Sequence, residues 1–123
     1  MSETHLHPSS EQITALQAMD LDGPLVMINL LRFSPDGGAA AYAEYGAAAA
    51  PFLKDARAKV RFMGSVQQTV IGPSDEAWDE AILVEYPNLS AFFEMTGHPD
   101  YPSQLRADAL DDSRLFCSQH LSR

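Results

Sequence analysis

Leu25-Val26-Met27-Ile28-Asn29-Leu30-Leu31-Arg32-Phe33 is apolar at both odd and even positions. Successive side chains of a strand point to opposite faces, so this pattern belongs to a strand buried on both sides of a sheet. Asp22-Gly23-Pro24 ahead of it and Ser34-Pro35-Asp36-Gly37-Gly38 behind it are turn sequences. Residues 25–33 therefore form a separate element at the centre of a sheet, and the rest of the chain has to be arranged around it.

On the N-terminal side, Ser9 or Ser10 is a helix cap with Glu11 and Gln12 just behind it, which predicts a helix to about Met19. Residues 1–8 are polar and are expected to be a flexible tail, leaving 9–123 as a single domain. On the C-terminal side, Tyr42, Tyr45, Ala49, Phe52 and Ala56 keep a three-four spacing, so about Ala39 to Ala56 is a helix, with a kink or short break expected at Pro51. Val60 to Ile71 alternates as a strand, with Val60, Phe62, Gly64, Val66 and Val70 on one face and Arg61, Met63, Ser65, Gln67 and Thr69 on the other. Gly72-Pro73-Ser74-Asp75 turns the chain, and Trp78 to Tyr86 returns as a second strand of a long hairpin. Asn88 caps a helix over Leu89–Thr96 that Gly97 stops, Pro99 to about Leu110 is a further helical piece, and Ser113 to His120 is the last strand.

After the first helix the order is β-α-β-β-α-β, the ferredoxin-like arrangement of an α+β domain with a four-stranded antiparallel sheet. Right-handed crossovers put the first and third strands in the middle and the helices on one face. The other face, which Met63, Ser65, Gln67 and Thr69 of the hairpin are expected to line, then has nothing from its own chain to cover it. A second subunit's sheet would solve this, so a homodimer through the sheet face is expected.

Composition sets the remaining bounds. The 123 residues carry 8 Lys+Arg against 17 Asp+Glu, a formal charge of −9, which argues against nucleic acid as a partner. Lys54, Arg57, Lys59 and Arg61 cluster without interleaved aromatics and suit a solvated helix end running into a strand. Apolar types make up 46%, which excludes wholesale disorder. Cys117 is the only cysteine, so no intrachain disulfide forms, and an inert buried thiol suits its apolar strand. Residues 1–12 lack the basic and apolar regions of a secretory signal, and no apolar run reaches membrane-spanning length. A cytoplasmic protein with no membrane partner is expected.

Several segments resemble the domain-of-unknown-function family numbered 1330, in the dimeric α/β-barrel superfamily. They are Pro24 to Phe33, the pair Tyr42 and Tyr45, Gly64 with Ile71-Gly72-Pro73, Glu76-Ala77-Trp78-Asp79, and Val84-Glu85-Tyr86-Pro87. His98-Pro99-Asp100-Tyr101 follows, then Arg106 and Leu110-Asp111-Asp112-Ser113-Arg114-Leu115. The resemblance covers about residues 8–120. It implies a ferredoxin-like subunit whose sheet packs on a partner's sheet, and it implies no reaction. The resemblance also implies relatives on that fold among cofactor-free monooxygenases, small-ring isomerases and haem-handling enzymes, but function resides in the site.

Candidate site residues follow from polarity and placement. Asn29 lies midway along the central strand, where its amide must find a partner inside the protein: a structural hydrogen bond or a ligand cleft. Trp78 and Asp79 are adjacent, so only one of them can face a given cleft; Asp79 is either a base or one acid of an acidic turn. His98 beside Tyr101 is either an acid/base pair or a surface loop. Tyr45 and Tyr86 can present hydroxyls to a ligand or bury them in the core. Arg106 can clamp a carboxylate or pair with Asp108, Asp111 or Asp112. The spaced pair His5 and His7 lacks a fixed third ligand, and there is no phosphate loop, dinucleotide fingerprint or nucleophile elbow, so neither metal nor cofactor is expected. Two functions remain. One is a homodimer with a small-molecule cleft between sheet and helices, acting without cofactor in proton transfer or oxygenation of a small organic acid or ring. Here Asp79 or His98 is the catalytic base, and Asn29, Tyr45, Trp78, Tyr86, Tyr101 and Arg106 bind substrate. The alternative is a non-catalytic ligand-binding or assembly module.

Overall fold

Residues Leu25–Phe33 form strand β1, hydrogen-bonded on both sides as its two-faced apolar pattern requires. The computed structural model describes residues 4–122. Its elements are α1 (Ser10–Gln17), β1, α2 (Gly38–Asp55), β2 (Lys59–Ser65), β3 (Glu80–Tyr86), α3 (Leu89–Thr96), α4 (Ser103–Ala109) and β4 (Leu110–Ser118). The sheet runs β2-β3-β1-β4, antiparallel throughout, so β1 and β3 are central, as in a ferredoxin-like domain. Among the described residues, no helix is long and apolar enough to cross a membrane.

Local chemistry sets the helix ends. Ser9 and Gln12 form a reciprocal capping box at α1, and the Asn88 side chain accepts from the Ala91 N–H at 2.8 Å to start α3. α2 continues unbroken through Pro51 to Asp55, so the expected break does not occur; the proline removes the one N–H from which the Ala47 carbonyl would accept, and the bonds of the neighbouring turns carry the helix on. The helical piece expected from Pro99 is shorter, because Pro102 occupies the cap position of α4.

The helix-covered face of the sheet holds the core. Leu25, Met27 and Leu31 of β1, Ile82, Val84 and Tyr86 of β3, Met95 of α3 and Leu110 of β4 pack together. At its edge the start of α2 touches the α4–β4 junction. A methyl group on Gly38 would meet the Ala109 carbonyl oxygen at 2.6 Å and the Phe33 backbone carbon at 3.0 Å. Both neighbours are main chain and cannot swing away. Gly38→Ala is expected to destabilise the fold by about 1–3 kcal/mol, the usual cost of overpacking, read as a lower urea midpoint at unchanged slope.

The hairpin departs from expectation. The alternation predicts a strand through Ile71 and a return from Trp78, whereas β2 ends at Ser65 and β3 begins at Glu80. Pairing ends at Ser65–Glu80, with one further bond from the Val66 N–H to the Asp79 carbonyl at 2.9 Å. Residues 67–78 have no strand opposite them, and alternation without a partner does not hold a strand. The faces of β2 are also exchanged. The register shifts between Val60 and Phe62, which places Phe62 opposite Leu83 and Gly64 opposite Ala81, with Met63 opposite Ile82. A one-residue bulge at Arg61 turns every later side chain to the other side. Phe62 and Gly64, rather than Met63 and Ser65, therefore lie on the open face.

That open face is apolar at its centre. Ile28 and Leu30 of β1, Ala81 and Leu83 of β3, Phe62 of β2 and Phe116 of β4 share it, with Phe62 54% and Phe116 50% exposed. The Phe62 ring lies over Gly64, where a Cβ would come within 2.7 Å of it. Ion pairs flank the apolar centre: Arg61–Glu85 at 2.8 Å towards one end, Arg32 and Arg114 with Asp112 towards the other. The outer edge of β4 takes up the segment ahead of α1. The His5 N–H donates to the Asp112 carboxylate at 2.8 Å, and the Ser113 hydroxyl donates to the His5 carbonyl at 2.6 Å. Burial pushes the Asp112 carboxyl up, but the His5 and Ser113 N–H groups and Arg114 together hold it below the usual range.

Candidate functional site

All four tyrosines of the chain gather between the sheet and the helices. Tyr42 and Tyr45 lie on the inward stripe of α2, Tyr86 ends β3 on its helix-facing parity, and Tyr101 sits in the turn ahead of α4. Phe33, Tyr42, Tyr45, Tyr101, Phe52 and His98 form a continuous row, with successive ring centroids 5.7, 5.2, 6.3, 5.7 and 5.3 Å apart. Most of these contacts are tilted or edge-to-face, the favourable geometry for aromatic pairs. The hydroxyls of Tyr45 and Tyr101 hydrogen-bond to each other.

Asn29 and Arg106 bring polar groups into this layer. Asn29 shares the helix-facing parity of Met27 and Leu31; its amide donates to the Ile82 carbonyl at 3.3 Å, and its carbonyl accepts from the Arg106 guanidinium at 3.4 Å. Arg106 is half-buried, and among the described residues no carboxylate lies within ion-pair distance of it. The acids that were expected to neutralise it are engaged elsewhere. Asp111 pairs with Arg32 at 3.3 Å, Asp112 with Arg114 at 3.0 Å, and Asp108 accepts from Gln104 at 2.7 Å.

Burial dominates the electrostatics. It pushes the Tyr42 hydroxyl up to about 12, against the pull of Arg106 beside it. Burial also raises Tyr45, Tyr86 and Tyr101, so all four phenols are neutral at pH 7. Glu80, on the helix-facing side of β3 with Ile82 and Val84, is likewise raised by burial, and its charge is felt at Tyr42.

Asn29, Tyr45, Tyr86, Tyr101 and Arg106 are thus brought together. Trp78 is elsewhere, its ring 4.9 Å beneath the guanidinium of Arg114, which shares the open-face parity of Phe116. Asp79 has a bridging role: its carboxylate accepts from the Phe33 N–H at 2.8 Å while its own N–H donates to the Leu31 carbonyl at 2.7 Å. His98 is exposed at the far end of the aromatic row, and its Nδ1 accepts from the Asp100 N–H at 3.0 Å. Tyr42 and Glu80 were not anticipated as site residues. A tyrosine three positions before Tyr45 and a carboxylate in phase with Ile82 and Val84 are signals the sequence does carry. Among the described residues, no group of His, Cys, Asp or Glu side chains could hold a metal ion. Two concave volumes lie away from the cluster, about 480 Å³ beside the loop from Val66 to Trp78 and about 250 Å³ between the end of α1 and α3.

A four-stranded antiparallel sheet with helices on one face defines a ferredoxin-like α+β domain, and the tyrosine–arginine cluster lies between its layers. The chain belongs to the family of RPA0582, a protein of unknown function from Rhodopseudomonas palustris. It is 35% identical to that protein over 98% of this chain and 100% of the other, with a TM-score of 0.88. The methylated form of RPA0582 gives 37% identity, 97% and 96% coverage and the same TM-score of 0.88. A dimeric protein of unknown function from Bacteroides fragilis shares the ferredoxin-like fold at 14% identity and a TM-score of 0.55, over 79% of this chain and 96% of that one. A dabb family protein from Mesorhizobium loti does so at 12% identity and 0.54, over 82% and 100%. No family model and no curated protein matches the sequence.

Proposed function

We propose that this protein is a homodimer that binds a small organic molecule between its sheet and its helices, at the cluster built by Asn29, Tyr45, Tyr86, Tyr101 and Arg106 with Tyr42. The observation that carries this is Arg106: a half-buried guanidinium beside neutral phenols, with no carboxylate of the described residues within ion-pair distance. Buried charges are normally paired, so a cation left this way suits a partner that arrives from solution. The apolar open face supports the dimer, as does the description of distant ferredoxin-like structures such as that from Bacteroides fragilis as dimeric. Membership of the domain-of-unknown-function family numbered 1330, and a cytoplasmic setting, belong to the same proposal.

A second reading, in which the site also moves a proton without a cofactor, is favoured by Glu80. Its carboxyl is raised by burial beside Tyr42, the direction that makes a carboxylate a stronger base. Asp79 and His98 flank the aromatic row at its two ends and are further candidates for the base. The test is a thermal-shift screen of the full chain against small organic metabolites. A binder is expected to raise Tm by mass action, by about 2.7 kcal/mol of added stability at a hundredfold excess over Kd. No shift from any compound would leave the assembly-module reading in its place.

A further inference from the structure

Building on the binding site proposed above, we infer that its ligand is a small monocarboxylate, seated with its carboxylate on Arg106 and its body against the ring of Tyr42. Arg106 offers five N–H donors in a planar fork, and among the described residues it meets only a long bond to the Asn29 carbonyl, 3.4 Å, and the neighbouring Tyr42 hydroxyl. Both are neutral groups. A planar carboxylate matches the fork with two parallel hydrogen bonds and supplies the missing charge, which an amide or alcohol cannot do.

The surroundings restrict the anion further. Arg106 is the one cation whose charge is felt by Tyr42, Tyr45, Tyr86 and Tyr101. A phosphate dianion would bring twice the charge to a single guanidinium, in a chain whose formal charge is −9. The phenols stay neutral at pH 7 and offer hydroxyl donors to a carboxylate oxygen without repelling it. Asn29 completes the arrangement: its amide is fixed to the Ile82 carbonyl at 3.3 Å, so its own carbonyl holds the guanidinium in place when the ligand is absent. The ring of Tyr42, half-buried and tilted 52° against the buried ring of Tyr45 at 5.2 Å, gives an apolar edge for the body of the ligand.

The test uses the tyrosines themselves, since all four lie in the cluster. The full chain, ring-labelled at tyrosine, is titrated by NMR with benzoate and phenylacetate, with the matched amides benzamide and phenylacetamide, and with inorganic phosphate. The carboxylates are expected to move the tyrosine signals saturably, the amides at least tenfold more weakly and phosphate not at all. Arg106→Gln is expected to abolish the carboxylate response and Arg106→Lys to restore part of it. Should the glutamine variant not fold, the comparison of acid with amide on the unaltered chain decides the matter alone. Amides that bind as tightly as their acids would overturn the inference while leaving the binding site standing. Phosphate binding in preference to carboxylate would overturn it too, and signals that move with no probe would remove both.

Discussion

Phe116→Asp is expected to halve the mass measured by light scattering at micromolar protein, turning a dimer into a folded monomer. Phe116 stands opposite Ile28 on the open face and is 50% exposed, with Phe62, itself 54% exposed, on the far side of the same face. A stable two-fold interface covers roughly 800 Å² per partner and repeats every contact, so one substitution acts twice. An aspartate there must either lose its water without a cationic partner, at a cost of several kcal/mol per ion, or keep the sheets apart. A micromolar dimer is held by about 8 kcal/mol in total, so two such penalties exceed what the interface can absorb. The fold itself should survive, because Phe116 contributes nothing to the cluster of Leu25, Met27 and Leu31 on the other side of the sheet. Far-UV circular dichroism of the variant should therefore match the parent. Leu105→Asp, on the exposed side of α4 and 43% exposed, should leave the mass unchanged. A parent that is already monomeric, or a Phe116→Asp variant that still dimerises, would remove the sheet-to-sheet arrangement.

The central strand and the strand order could be read from the sequence because a strand apolar at both parities leaves a mark along most of Leu25–Phe33. The inner faces of the helices were legible for the same reason: Tyr42, Tyr45, Ala49 and Phe52 recur at helical spacing, and the phenols on that stripe converge in the structure as their positions require. The face of β2 was not legible. Alternation fixes which residues share a side but not which side that is, and the bulge at Arg61 inverts the answer without leaving any signal in composition. The end of the hairpin was hidden for a related reason. Gln67, Gln68, Thr69 and Val70 are good strand residues, and only the start of β3 at Glu80 shows that nothing pairs with them. Among the site residues, Asn29 and Arg106 could be proposed singly, but their contact spans 77 positions in sequence and depends on where the packing of α4 against α2 holds Arg106. The assignment of Asp111 and Asp112 to Arg32 and Arg114, which leaves Arg106 without a carboxylate, is a tertiary fact of the same kind. Trp78 and Asp79 show the limit most clearly. They are adjacent, yet one is stacked under Arg114 and the other is tied to the backbone of β1.

Raising the pH should unfold the protein cooperatively above pH 11, with the tyrosinate absorbance appearing in the same step. An ordinary phenol ionises near pH 10, and each phenol here is held above that value in the folded state, Tyr42 at about 12. A group raised in this way stabilises the fold fully below its unfolded value, and that contribution is lost as pH climbs towards the folded one. Between the two, the unfolded chain has released a proton that the folded chain retains, so each such phenol removes about 1.4 kcal/mol of stability per pH unit. Just above pH 10, where all four phenols keep their protons in the fold, the combined slope approaches about 5 kcal/mol per unit, enough to exhaust the lower part of a typical domain stability of about 5–15 kcal/mol within one to two units. Since the chain has no tyrosine outside the cluster, the rise of tyrosinate absorbance reports on this site alone. Circular dichroism and absorbance should therefore change together on titration. Replacing Tyr45 and Tyr101 jointly by phenylalanine should make the slope shallower by about half, because two of the four proton-retaining groups are gone. Tyrosine absorbance rising with a midpoint near pH 10, while the circular dichroism of the folded state persists, would show that the phenols meet water and that the cluster is not closed.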